Sequence, residues 1–162
     1  MVAAADGTIA IGYTALQALT SGANNVAVGY ESLNAMTTGS GNVALGWQAL
    51  KGANHADADN NIAIGPNAMD GIGASGAAYN IGIGADALGG SLTGDFNIAI
   101  GQAAGDAVTS GTENVLIGHD AGTALSSGEY NVIIGGAAGV ALTTNGGNTL
   151  IGYNAGSSVT ST

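Results

Sequence analysis

The sequence predicts an all-β chain, a parallel β-solenoid or β-roll of nine coils of about 17 residues forming a single repeat array over residues 1–162. Three observations carry this. A pentapeptide of the form Asn-(Ile/Val)-(Ala/Gly/Leu/Ile)-(Ile/Val/Leu)-Gly recurs, closing at Gly12, Gly29, Gly46, Gly65, Gly84, Gly101, Gly118, Gly135 and Gly152, with steps of 17 residues except for two of 19. A fixed period of that size marks a unit that cannot bury its own apolar face and must stack on copies of itself. Composition agrees: 46% of residues are hydrophobic but only 4% are aromatic and 7% charged, with 30 glycines. That suits small, closely stacked coils better than a globule with large core side chains or a polar disordered chain. Finally, Asn precedes the apolar triplet in eight of nine units.

Within each unit the residues one and three before the glycine are aliphatic, as in Val26 and Val28, Ile62 and Ile64, or Ile98 and Ile100. At strand periodicity these share one face. The residue between them is also apolar or glycine, from Ala10 and Ala27 to Ile133 and Leu150. A strand apolar on both faces is expected to be covered on both. Asn25, Asn42, Asn61, Asn80, Asn97, Asn114, Asn131 and Asn148, stacked about 4.8 Å apart, can form an amide ladder along the rod. Asn also tolerates the left-handed conformation that a corner can require. None of these eight opens a glycosylation sequon; Asn148 is followed by Thr149-Leu150.

Three residues after the glycine stands Ala in eight units and Ser32 in the other, which implies close approach. Seven after it come Leu19, Met36, Ile72, Val108, Leu125, Leu142 and Val159, spaced to suit either a single helical turn or a bent second strand. Hydroxyl pairs followed by glycine, such as Thr20-Ser21-Gly22, Thr37-Thr38-Gly39, Thr109-Ser110-Gly111 and Ser126-Ser127-Gly128, read as turns needing positive φ. Residue volumes also trade places. Ala10, Ala27, Ala44, Ala63 and Gly82 accompany Leu16, Leu33, Leu50, Met69 and Leu88, whereas Leu116, Ile133 and Leu150 accompany Gly122, Gly139 and Gly156. Two positions that exchange volume in step fill one space. Ala99 with Gly105, small at both, predicts a local packing deficit.

Net charge is −10, with Lys51 the one basic side chain and no Arg, so nucleic acid is excluded as a partner and an anionic membrane surface is disfavoured. No apolar stretch is long enough for membrane insertion, and the start lacks the pattern of a signal peptide. Without cysteine, disulfides and thiolate metal sites are excluded. No catalytic residue or cofactor motif is found. His55, Asp57 and Asp59 form a weak metal candidate in one 19-residue unit, read as solvated charge because a hard-cation loop needs more ligands. His119-Asp120 lies at a variable outward corner with no associated nucleophile. Asp86, Asp95, Asp106, Glu113, Asp120 and Glu129 are dispersed over successive coils as a solubilising surface. Tyr13, Tyr30 and Trp47 follow three successive glycines and form a possible binding surface for a sugar or protein, or simple cross-coil packing. The two longer units bulge near Gly52–Asn60 and Gly71–Tyr79, where binding specificity would reside.

The strand motif, as in Asn25-Val-Ala-Val-Gly-Tyr-Glu-Ser-Leu and Asn42-Val-Ala-Leu-Gly-Trp-Gln-Ala-Leu, resembles the head repeats of trimeric autotransporter adhesins and the Ala-Ile-Gly-Tyr-x-Ala-Leu repeats of phage tail fibres, over Thr8 to about Ser158. The resemblance implies a homotrimeric, extracellular or virion-surface fibre that serves host or surface attachment, with a cell-surface glycan or protein as receptor. An apolar sheet face left bare on a slender monomer argues independently for a homo-oligomer. Two other functions fit a solenoid: a self-polymerising filament whose uncapped end coils pair between molecules, and an ice-binding array of stacked Thr and Ser.

Overall fold

The computed structural model describes residues 6–54, 58–72 and 76–160. Nine three-residue strands run through them: β1 (Ile9–Ile11), β2 (Val26–Val28), β3 (Val43–Leu45), β4 (Ile62–Ile64), β5 (Ile81–Ile83), β6 (Ile98–Ile100), β7 (Val115–Ile117), β8 (Val132–Ile134) and β9 (Thr149–Ile151). They form one parallel sheet in sequence order, paired in register, so that Ala10, Ala27, Ala44, Ala63, Gly82, Ala99, Leu116, Ile133 and Leu150 make a single column. One strand per coil and one coil per step is a β-solenoid. The chain therefore adopts the all-β solenoid its period predicts.

The amide ladder is present over its full length. Each ladder Oδ1 from Asn25 to Asn131 accepts the backbone N–H of the next ladder residue at 2.8–3.2 Å. The same oxygen accepts that residue's Nδ2 at 2.8–3.3 Å. Each Nδ2 also donates to the carbonyl three residues before the next ladder Asn, at 2.7–3.1 Å, from Asn25 to Gly39 through Asn131 to Asn145. Seven of the eight carboxamides are fully buried. Burial of so many amides is sustainable because each is satisfied on both its oxygen and its nitrogen.

The ladder residues are not the left-handed ones. That conformation falls on the residue just before, at Asn24, Asn60, Tyr79, Phe96, Glu113 and Tyr130, with glycine at 7, 41 and 147. It recurs two and four residues after each strand glycine, which accounts for all twenty non-glycine residues of positive φ. The segment after the strand is consequently neither a helical turn nor a bent strand. It is a run of turns in which in-coil bonds (Gln17 N to Thr14 O, 3.3 Å; Leu19 N to Leu16 O, 3.2 Å) alternate with bonds to the next coil (Leu16 N to Ser32 O, 3.1 Å; Ala18 N to Asn34 O, 3.2 Å). Nor do the turn glycines serve positive φ in general. Gly22 has φ 149°, but Gly111 is required by space, since a Cβ there would lie 2.5 Å from the carbonyl oxygen of Gly128 in the next coil.

The core is aliphatic: the mid-strand residues Ala27, Ala44, Ala63, Ala99, Leu116 and Ile133, the alanines three after the glycine from Ala49 to Ala138, and Leu33, Met36, Leu50, Met69, Leu88, Val108, Leu125 and Leu142. The exchanging positions do touch. A Cβ on Gly122 would lie 3.0 Å from Leu116 Cδ2, one on Gly139 3.0 Å from Ile133 Cδ1, and one on Gly82 2.7 Å from Met69 Cγ. Contact thus occurs both inside a coil and between neighbours. The packing deficit expected at Ala99 and Gly105 does not occur, because Leu116 Cδ1 and Leu88 Cδ2 lean in from the flanking coils to 2.6 and 3.1 Å of where a Gly105 Cβ would stand. The switch in volume also relieves strain: Leu16, Leu33, Leu50, Met69 and Leu88 hold φ of 49–54°, while glycine occupies that position in the later coils at 61–62°. A left-handed L-residue costs roughly 1–2 kcal/mol.

Two outcomes follow for denaturant unfolding. Asn97→Ala orphans the amide of Asn114 and the carbonyl of Gly111 and is expected to destabilise by roughly 2–6 kcal/mol, about 1–3 kcal/mol per orphaned group. Leu116→Ala is expected to cost about 2–5 kcal/mol, and adding Gly122→Leu, which restores the volume arrangement of the early coils, should recover part of that loss.

Candidate binding face

The sheet has two unlike faces. Mid-strand residues point into the core, whereas the residues on either side of them point outward and are half-buried or exposed: Ile9 50%, Ile11 60%, Ile100 37% and Ile151 66%. The expectation that both faces are covered is therefore corrected. The outer face meets solvent, and its side chains shield one another only sideways along the stack. Seventeen of its eighteen positions are aliphatic, Thr149 being the exception. With eight strand steps of about 4.8 Å, the stripe is about 38 Å long, with a projected area on the order of 400 Å².

Every aromatic side chain of the chain borders this stripe. Tyr13, Tyr30, Trp47 and Tyr153 directly follow strand glycines; Tyr79, Phe96 and Tyr130 directly precede ladder asparagines. All seven are exposed, from 44% at Tyr30 to 81% at Tyr153. Tyr13 and Tyr30 stack with ring centroids 5.3 Å apart, which is the cross-coil packing weighed for that strip, and Trp47 continues the column in the next coil. The second column escaped the sequence reading; Tyr79 and Phe96 stack at 5.1 Å with planes 5° apart. Its signal was there in the residue preceding each ladder Asn, a position masked as a turn by Asn24, Gly41 and Asn60.

Of the weak metal candidate, His55 and Asp57 lie outside the described residues, as do residues 55–57 and 73–75 within the two longer units expected to bulge. Asp59 is engaged elsewhere: its Oδ1 accepts the backbone N–H of Ser40 at 2.6 Å, and Asp95 caps Ala78 in the same way at 2.8 Å. Among the described residues no three His, Asp or Glu side chains converge as a metal site, and no helix is long and apolar enough to cross a membrane. His119 Nδ1 stands 3.2 Å from Asp120 Oδ2 on an exposed corner. The hydroxyl column of Thr20, Thr109 and Ser126 donates to carbonyls of the next coil at 2.9–3.1 Å, so these hydroxyls serve the stack.

The acidic residues are less dispersed than their spacing suggests. Burial, and then the charges of Asp86 and Asp106, push the Asp70 carboxyl up; burial and Asp86 do the same to Asp106. Glu31 is shifted the other way, held down by its hydrogen bonds to Lys51 and Gln48. For Asp70 and Asp106 the folded state binds protons more tightly than the unfolded chain, so their contribution to stability grows as pH falls through their raised pKa values and is lost as pH rises. Replacing both by Asn should raise the melting temperature near neutral pH, and the gain should shrink on acidification toward the ordinary aspartate range. A gain independent of pH would contradict the assignment.

No protein-family profile, curated protein or solved structure matches the chain.

Proposed function

We propose that the chain is a non-enzymatic fibre segment whose aliphatic stripe is buried against further copies of itself, in a homotrimer of the kind that builds phage tail fibres and bacterial surface adhesins. The observation that carries this is the uninterrupted outer face of the sheet, aliphatic at seventeen of eighteen positions and bordered by all seven aromatic rings. A solvated face of a sheet ordinarily alternates to polar residues. A straight apolar stripe on a parallel rod matches the same stripe on a parallel copy coil by coil, so association about a threefold axis would remove all three from water. The strand motif supports the placement on a virion or cell surface, where the rod would hold apart an anchor and a receptor-binding tip and so serve attachment. Its receptor would be a glycan or protein of the host or surface.

A second reading, end-to-end polymerisation, draws support from β1 and β9, each of which pairs with a single strand among the described residues. Sedimentation separates the two. The fibre reading expects a species of three times 15.4 kDa, reduced to a single chain by Ile64→Asp with Ile83→Asp, whose side chains face outward in mid-rod. A parent protein that sediments as one chain would overturn the trimer, and a concentration-dependent series of masses would favour polymerisation.

A further inference from the structure

Tyr79, Phe96, Glu113 and Tyr130 occupy one position in four successive coils, each with φ of 56–60°. The strand register fixes this column, since Ile81, Ile98, Val115 and Val132, two residues on, are paired in sequence. Tyr79 and Phe96 lie nearly parallel. One coil further the ring is replaced by Glu113, and in the next coil the aromatic returns as Tyr130. At about 4.8 Å per coil, the levels of Phe96 and Tyr130 are about 9.6 Å apart. Two stacked contacts need roughly 7 Å, so one planar group can enter between them. An open cleft of about 420 Å³ lies at this place, lined by Phe96 and Glu113. The Glu113 side chain is exposed and forms no hydrogen bond or ion pair among the described residues.

We infer that this slot binds a guanidinium group carried by another molecule, stacked on Phe96 and paired with the Glu113 carboxylate. Guanidinium is planar, weakly hydrated and able to stack on a ring while donating two parallel hydrogen bonds to a carboxylate; an ammonium is compact and more strongly hydrated. The chain has no Arg, so a second copy cannot supply the group, and its net charge of −10 draws cations toward it. The inference does not rest on the fibre assembly. It gives a receptor-facing chemistry to a rod with no enclosed pocket on this column.

The test is an NMR titration of the whole chain with acetyl-Gly-Arg-Gly-amide, using the Lys peptide for comparison. Saturable upfield shifts of the arginine side-chain protons are expected, with the Lys peptide bound about fivefold more weakly. Glu113→Gln and Phe96→Ala should each weaken binding about fivefold or more, while Asp120→Asn, which removes the same charge at a corner outside the cleft, leaves it unchanged. Both altered positions are exposed, so the fold should persist, as circular dichroism can verify; should Phe96→Ala unfold, Glu113→Gln decides alone. Absence of saturable shifts, equal binding of the Lys peptide, or binding indifferent to Glu113→Gln would each overturn the assignment.

Discussion

Everything else in this molecule depends on the buried column of asparagine carboxamides. A coil of 17 residues with a three-residue strand has too little strand to fix its own register, and a small side chain at mid-strand gives little shape to key one coil to the next. The carboxamides do so. Each links the next coil at its backbone N–H, its side-chain nitrogen and a carbonyl three residues upstream, and a slip by one residue would break all three in a place water cannot reach. The ladder also explains how the longer units are tolerated: Asn42 to Asn61 and Asn61 to Asn80 span 19 residues, yet their bonds match those across 17. The two additional residues per unit leave the ladder register untouched.

Because the ladder fixes the coil, the remaining chain must turn within a short path, and it does so through repeated left-handed residues. The early coils accept that conformation at a buried Leu or Met and keep the strand slender; the later coils place glycine there and move the bulk to Leu116, Ile133 and Leu150. Both arrangements fill the same space, and Leu88 and Leu116 bridge the junction at Gly105. A core with no aromatic residue is possible because coils this thin need only one or two aliphatic side chains per layer. The aromatics are thereby released to the surface.

The period, the strand positions, the ladder and the paired volumes were all legible in the sequence, since each recurs in eight or nine units and repetition separates signal from local noise. What was not legible depends on three-dimensional approach. The turns after the strand look helical because Leu16 and Leu19 are three apart, whereas alternate left-handed residues send every second amide to the neighbouring coil. Gly111 looks like a positive-φ turn residue, but its role is to admit the Gly128 carbonyl. Asp70, Asp86 and Asp106 look scattered until stacking brings coils together. The outer strand face reads as buried because it is apolar; the fold of one chain leaves it open, which is the observation on which the functional reading turns.

That reading joins three features of one side of the rod: an aliphatic stripe, two aromatic columns and an acidic gap in one of them. All of it presupposes that the coils are locked in register by the amide ladder. Hydrogen exchange of the asparagine carboxamides, followed by NMR on the intact chain, tests this most directly. The Nδ2 protons of Asn42 through Asn131 should exchange as slowly as the strand amides, through global unfolding alone. Exchange of those protons at the rate of surface amides would contradict the ladder, and with it the register on which the stripe and both aromatic columns rest.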